Sequence, residues 1–350
     1  MKKKVLSVAL ATTLLASGGS YSAISTVHAG ENGPNGPNYG GNETVKNERL
    51  HSYEEMVKAL EKADQQSERL TVETFGESVK GRDLYLAKFG TNEDNPTVLF
   101  LTQQHGNETL TTEGALKLIQ KLTSNGKNIN EILDNVNVLI VPRLNVDGAE
   151  GDVNFSLEDY AAGTHTRYNA NGVDLNRDHV DRLEPETKAL HENVLQEYQP
   201  DYMIDLHHQG TQTTLGDSDE LVSGSILYPT NENVDEEVVE RSKQLGSIVY
   251  NAISDKGYGL LSKYVGGTAE TISRNGLAVE YGIATLLLEM RGMADHERDD
   301  YVLGQKSNGY LINQAVTAME ATLQSIADDS ISSADTSFWD SLPESGYASE

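Results

Sequence analysis

Four short, largely apolar runs do most to limit what this chain can fold into: Thr97–Leu101, Val136–Val141, Tyr202–Leu206 and Thr285–Leu288. Each is too short for a stable helix and rich in Val, Leu and Ile, so each reads as a strand buried on both faces. Such strands need helices on either side, and the intervening sequence supplies them. Ser52 and Glu55 form a capping box ahead of a helix that turns Met56, Leu60 and Ala63 inward. Ala115, Leu118, Ile119 and Leu122 fall on one helical face, and further amphipathic helices are expected over Pro185–Glu197, Val234–Tyr250 and Tyr310–Leu323. Leu70–Phe75 and Asp83–Phe89 alternate as half-buried strands around a turn at Lys80-Gly81. The pattern predicts an α/β fold, a mixed sheet flanked by helices.

The first and last segments stand apart from this pattern. Lys2, Lys3 and Lys4 precede an apolar core, Val5–Leu15, that is too short to span a bilayer, and Val27-His28-Ala29 forms a small-residue cleavage site. Residues 1–29 therefore read as a secretory signal peptide, and an extracellular location is expected. No other apolar run is long enough for a membrane helix. Residues 30–46, with Gly33-Pro34-Asn35-Gly36-Pro37-Asn38, read as a flexible leader. A single domain is expected over 47–327. The acidic, Ser-rich tail 328–350 holds the one tryptophan, Trp339, and is expected to be disordered or a surface strap.

Removing the signal peptide takes away three lysines and no acid, so a formal net charge of −27 becomes −30. A polyanion of that size repels nucleic acid and anionic lipid, which argues against both as partners. There are no cysteines, so the exported chain must hold itself together with an ordinary hydrophobic core. A monomer is expected.

Chemistry gathers at the carboxyl ends of the apolar runs. The 97–101 run is followed by His105 and Glu108, the 202–206 run by His207, and the 285–288 run by Glu289. If these strands lie in one sheet and point the same way, their ends share a rim, where open α/β sheets place their ligand sites. Two His and one carboxylate suit Zn²⁺ and leave an open position for water, the arrangement of a catalytic site. Glu289 at the same rim could act as its base. His208 alternates to the opposite side from His207 and is left as a rim or packing residue. Between Arg143 and Asp178 the sequence reads as a long polar loop, with a turn at Asn145-Val146-Asp147-Gly148. His51, His165, His179, His191 and His296 lack a partner pattern and are expected at the surface.

Four motifs, His105-Gly106-Asn107-Glu108, Gly172-Val173-Asp174-Leu175-Asn176-Arg177, Ile204-Asp205-Leu206-His207 and Leu288-Glu289-Met290-Arg291, occur in an order that resembles the zinc carboxypeptidases, the carboxypeptidase A-like metallopeptidases. The resemblance spans most of the mature chain. It implies a mixed, largely parallel eight-stranded twisted sheet with helices on both faces. It further implies one Zn²⁺ per chain held by His105, Glu108 and His207, with Glu289 as general base and proton shuttle. Asp174 would orient His105. Asn176 and Arg177 would grip the free carboxylate of a peptide substrate, a task that suits the guanidinium fork. Arg167 would polarise the scissile carbonyl, with Arg143 as its rival. Tyr264 would cap the substrate, with Tyr281 as the alternative.

The implied activity is hydrolysis of the carboxyl-terminal peptide bond of extracellular peptides. Ala269 at the pocket floor would favour uncharged terminal residues, and Glu270 there basic ones. Two other readings share the motifs: a cell-wall peptidase cutting γ-D-glutamyl or D-amino acid bonds, and a non-catalytic binding module of the same fold. Retention of all four of His105, Glu108, His207 and Glu289 argues against the last.

Overall fold

In the computed structural model the described residues are 50–90, 92–150, 167–292, 294–295, 302–303 and 308–347. The expected signal peptide and leader lie outside them, as do His165 and His296.

The strands, in chain order, are β1 (Leu70–Glu77), β2 (Asp83–Phe89), β3 (Thr97–Thr102), β4 (Asn137–Val141), β5 (Tyr202–Gln209), β6 (Thr213–Leu215), β7 (Gly224–Leu227), β8 (Leu261–Lys263), β9 (Ala284–Arg291), β10 (Ala294–Asp295), β11 (Val302–Leu303) and β12 (Ser345–Tyr347). Eight of them form one sheet in the order β1-β2-β4-β3-β5-β9-β7-β8. The four apolar runs are its four central strands. Each runs parallel to the next, whereas β1, β2 and β7 run antiparallel to their inner neighbours. This is the eight-stranded, mixed and largely parallel sheet that the motifs imply.

The helices are α1 (Tyr53–Gln66), α2 (Thr109–Leu122), α3 (Lys127–Asn135), α4 (Val146–Glu150), α5 (Pro185–Leu190), α6 (Glu236–Asp255), α7 (Ser273–Tyr281) and α8 (Asn308–Ala327). Alternate residues of the central strands feed two separate cores, as the period of two in a strand requires. Val98, Phe100, Ile204, Leu206, Leu286 and Leu288 pack under α1, α2, α6 and α8. Leu99, Leu101, Met203 and Leu139 pack on the other face against Leu175, Leu190, Val194 and Leu277. The Ser52 capping box is present, with Ser52 accepting from Glu55 N–H and Glu55 accepting from Ser52 N–H.

Several elements differ from the sequence expectations. Strands β5 and β9 do not stop before His207 and Glu289 but continue through them, because the ladder between them pairs every residue from Tyr202↔Ala284 to Gln209↔Arg291. The turn expected at Asn145–Gly148 is the start of the short helix α4. The helix expected over Pro185–Glu197 is α5 followed by a π-helical turn, His191–Leu195, and a last turn at Gln196–Tyr198. Beyond α8 the chain carries two 3-10 turns, Ser330–Ser333 and Ser337–Asp340. Ile331 and Trp339 join the first core. Trp339 donates its indole N–H to Lys243 O at 3.0 Å, and it lies so close over Gly246 that a Cβ there would collide with its ring. The chain then returns as β12 to pair with β6.

Candidate metal centre and its surroundings

Parallel pairing brings the candidate residues to one rim. Thr102, the last residue of β3, sits opposite Leu206, and His207 sits directly opposite Glu289. The chain leaves β3 through Gln103, whose φ of +52° lies in the left-handed region. That costly conformation for a non-glycine residue is held by its own side chain. Gln103 donates to Gly106 O at 2.6 Å and accepts from Arg143 Nε at 2.8 Å. The reversal carries His105 and Glu108 back over the end of β5, with Glu108 at the cap of α2.

His105 Nδ1 lies 2.8 Å from Glu108 Oε1, and His207 Nδ1 lies 2.9 Å from Glu108 Oε2 and 3.2 Å from His105 Nδ1. All three side chains are buried. Behind each imidazole stands a carboxylate: Asp174 Oδ1 is 3.0 Å from His105 Nε2, and Asp205 Oδ1 is 2.9 Å from His207 Nε2. Those acceptors hold one proton of each ring outward, so that once a metal displaces any proton on the inner side two Nδ1 atoms and a carboxylate converge on one point. Donors about 2.0–2.1 Å from a tetrahedral zinc are about 3.3 Å from each other, so this trio fits the ion closely.

The charges point the same way. Burial alone would lift the Glu108 carboxyl, but the His105 and His207 rings hold it well below the usual range. Burial likewise opposes charge on His207, yet Asp205 and Glu108 outweigh it and raise its pKa well above that of a free imidazole, so that in the metal-free protein a proton between His207 Nδ1 and Glu108 stands where a cation would. The Asp174 carboxyl also stays ionised: desolvation is overcome by His105, Arg167 and Arg177. A cation in the middle relieves a buried group of acids that the chain's own side chains only partly neutralise.

Glu289 is 7% exposed, and its Oε2 has no hydrogen-bond partner among the described residues. Burial pushes its carboxyl up to about 7, with the charge of Glu108 adding to the effect and His207 and His105 opposing it. A carboxyl poised near neutrality with a free oxygen is suited to taking and returning a proton.

Arg167 is brought to the centre. Its guanidinium donates to Asp174 Oδ2 at 3.0 Å and lies 3.9 Å from Glu108 Oε1. Arg143 is not: it is 1% exposed and is consumed by Gln103, Glu150 and the carbonyl of His51. Asn176 is buried, with its Oδ1 accepting from Ser273 N–H at 2.8 Å and its Nδ2 3.3 Å from His207 Nε2. Arg177 is exposed and donates to Asn176 O at 2.6 Å. Tyr264 is half-buried, just past β8, on a segment that the last residues brace: Lys263 N–H donates to Pro343 O and Val265 N–H to Ser345 Oγ, at 2.8 and 3.3 Å. Its alternative, Tyr281, is turned inward to His191 at 2.8 Å. In the next loop Ala269 is exposed, and Glu270 Oε1 accepts from Asn233 at 2.7 Å.

A family model described as zinc carboxypeptidase matches residues 54–287. The chain belongs to the zinc carboxypeptidase family. This zinc carboxypeptidase homologue is 36% identical over 148 residues to the carboxypeptidase N catalytic chain of Rattus norvegicus, a match covering 38% of this chain and 31% of that protein. It is 30% identical over 136 residues to a zinc carboxypeptidase of Saccharothrix mutabilis subsp. capreolus, covering 36% of this chain and 31% of that one. The chain thus spans about a third of the length of the curated relatives it matches. Among solved structures, a metallo-carboxypeptidase from Burkholderia cenocepacia superposes with a TM-score of 0.61 at 19% identity, over 80% of this chain and 70% of that one. That likeness shows the shared fold.

Sequence reading placed His179 and His191 at the surface, and the structure overturns this. They are 1% and 0% exposed and hydrogen-bonded to each other. His51 is half-buried and paired with Glu113 at 2.8 Å. Asp205, Gln104 and Ser273 had no assigned role, and all three cluster behind His207. Only Asp205 was detectable in advance, because two residues along a strand return a side chain to the same face. His208 is not among the three converging groups, and neither of its ring nitrogens has a partner among the described residues.

Proposed function

We propose that the protein is an exported zinc-dependent carboxypeptidase that hydrolyses the carboxyl-terminal peptide bond of peptides. The observation that carries this reading is the convergence of donor atoms from His105, Glu108 and His207 within 4.8 Å of one another, beside a Glu289 with a free oxygen. Held by those three residues, zinc would supply Lewis acidity, lowering the pKa of water and polarising a carbonyl. Glu289 accepts the proton of the attacking water on its carboxylate and passes it to the departing amine nitrogen, so it ends the cycle ionised as it began. Arg167, fixed by Asp174, presents N–H donors to the oxygen on which negative charge develops. Arg177 offers an exposed guanidinium to the substrate's terminal carboxylate, with Asn176 beside it. Tyr264 covers the bound terminal residue.

Export is supported by the basic and apolar character of residues 1–29. Among the described residues no helix is long and apolar enough to cross a membrane.

The test is a peptide-library digest read by mass spectrometry, with and without a chelator. Loss of single residues from free carboxyl termini, abolished by chelation and restored by zinc, is the expected result. Cleavage confined to peptides with amidated termini would refute the role of Arg177. Parallel digestion of muropeptides separates ordinary peptides from cell-wall bonds as the preferred substrate.

A further inference from the structure

Behind His207 runs a chain of buried polar groups that the reaction itself does not use. Asp205 Oδ1 accepts from His207 Nε2 at 2.9 Å and from Gln104 Nε2 at 2.8 Å, and Ser273 Oγ donates to Asp205 Oδ2. The second amide hydrogen of Gln104 goes to Ser273 Oγ at 3.1 Å. His179 Nε2 lies 2.8 Å from Gln104 Oε1, His191 Nε2 lies 3.1 Å from His179 Nδ1, and Tyr281 Oη lies 2.8 Å from His191 Nδ1.

With neutral rings, the hydrogen bonds run in one direction. Because Asp205 is a pure acceptor, the NH₂ of Gln104 must face it and the carbonyl must face His179. His179 must therefore carry its proton on Nε2 and leave Nδ1 bare, which forces His191 to carry its own on Nε2. The bare Nδ1 of His191 then takes the Tyr281 hydroxyl proton. Burial favours the neutral rings this requires, lowering His179 to about 4.

We propose that His179, His191 and Tyr281 are positioning residues for the metal centre. They hold the Gln104 amide with its NH₂ toward Asp205, and so keep Asp205 accepting from His207 Nε2 and His207 Nδ1 bare for the ion. An amide is nearly symmetric in shape, so only its hydrogen-bond partners decide which end points where. Asp205 and Ser273 still hold the NH₂ end, but without the His179 donor the buried carbonyl is left unpaired, so the amide is fixed at one end only and the support of His207 loosens. Residues outside the direct ligands that orient a ligating imidazole typically govern metal affinity by 10- to 100-fold.

The inference rests on the zinc site of the proposed function and is tested by zinc affinity, measured on the full chain by competition with a chromophoric chelator. In His179→Leu, which removes the donor at similar bulk, zinc should bind about tenfold more weakly than in the parent. His179→Gln places an amide N–H where Nε2 stood and should recover most of that loss. Tyr281→Phe deletes only the far hydroxyl and should weaken zinc by a smaller factor, about two- to threefold. This variant carries the test if the Leu variant does not fold.

Unchanged zinc affinity in the folded variants, even with a lowered melting temperature, would assign these residues to stability alone and overturn the inference. A Gln variant as weak as the Leu variant would overturn it as well. If the parent itself binds no zinc, both this inference and the proposed function fall. Tight binding by the parent and all variants removes this inference only.

Discussion

Asp205 and His207 stand two residues apart on β5, and the carboxylate of one lies 2.9 Å from the ring nitrogen of the other that faces away from the metal trio. The strand's own period makes this pair, so no loop has to be ordered to form it. Asp205→Asn keeps the shape but removes the charge that holds the ring proton outward. Zinc affinity should fall about tenfold or more, as for other carboxylates behind ligating imidazoles. Chelator competition measures it, and an unchanged constant would make Asp205 a packing group.

Glu289→Gln should lower kcat about 10²- to 10⁴-fold while zinc remains bound at parent stoichiometry. Assaying peptide hydrolysis alongside metal content separates this from loss of the site. Full activity in the Gln variant would show that another group takes the proton.

In the metal-free protein the Glu289 carboxyl should titrate near pH 7, because burial and Glu108 disfavour its charge. A divalent cation beside it favours that charge, so zinc should move the titration to lower pH. The acid limb of kcat/KM should accordingly lie below pH about 7. Carbon-13 NMR of labelled glutamate in the apo and zinc forms reads both values. A carboxyl that ignores zinc cannot border the metal.

His179 links acid stability to the interior. Its folded-state pKa is depressed to about 4 by burial, whereas the unfolded chain titrates near 6.5. Above pH about 6.5 neither state holds the proton and stability is full. As pH falls the unfolded chain takes the proton first, so stability declines until the folded pKa is reached, by about 3 kcal/mol in all. Urea midpoints of the metal-free protein between pH 7.5 and 4.5 should show this decline, and His179→Gln should flatten it.

Trp339 anchors the segment that follows α8. It is 5% exposed, meets Tyr228 edge-on at a ring separation of 4.9 Å, and covers Gly246. Trp339→Ala should cost about 3–5 kcal/mol by removing a large buried ring. Denaturant unfolding measures the loss, and zinc affinity of the folded fraction should be retained.

How much of this was legible in the sequence depends on how far apart the partners lie along the chain. The four central strands were visible because their burial is written in consecutive residues. His105 and Glu108 were visible because they sit three apart on a reversal, and the ordered motifs pointed to His207 as the third member of the converging group. Strand ends were misjudged at His207 and Glu289, since polar residues normally close an apolar run. Here they continue it because they face one another across a ladder. His179 and His191 were placed outside because nothing adjacent betrays their partners: Gln104 is 75 residues from His179, and Tyr281 is 90 from His191. The segment around Trp339 is Ser-rich and acidic on average, yet its packing is done by Ile331, Phe338 and Trp339, which an average conceals.

Because His207 and Glu289 hang from facing positions of β5 and β9, a slip of one residue would send either to the wrong side of the sheet. The two strands are separated in the chain by β6, β7, β8, α6 and α7, and β9 is the last of the large sheet to be synthesised. Whatever bond-breaking the centre performs is therefore withheld from nascent and half-assembled molecules. A centre assembled this way stays incomplete until the final ladder has closed.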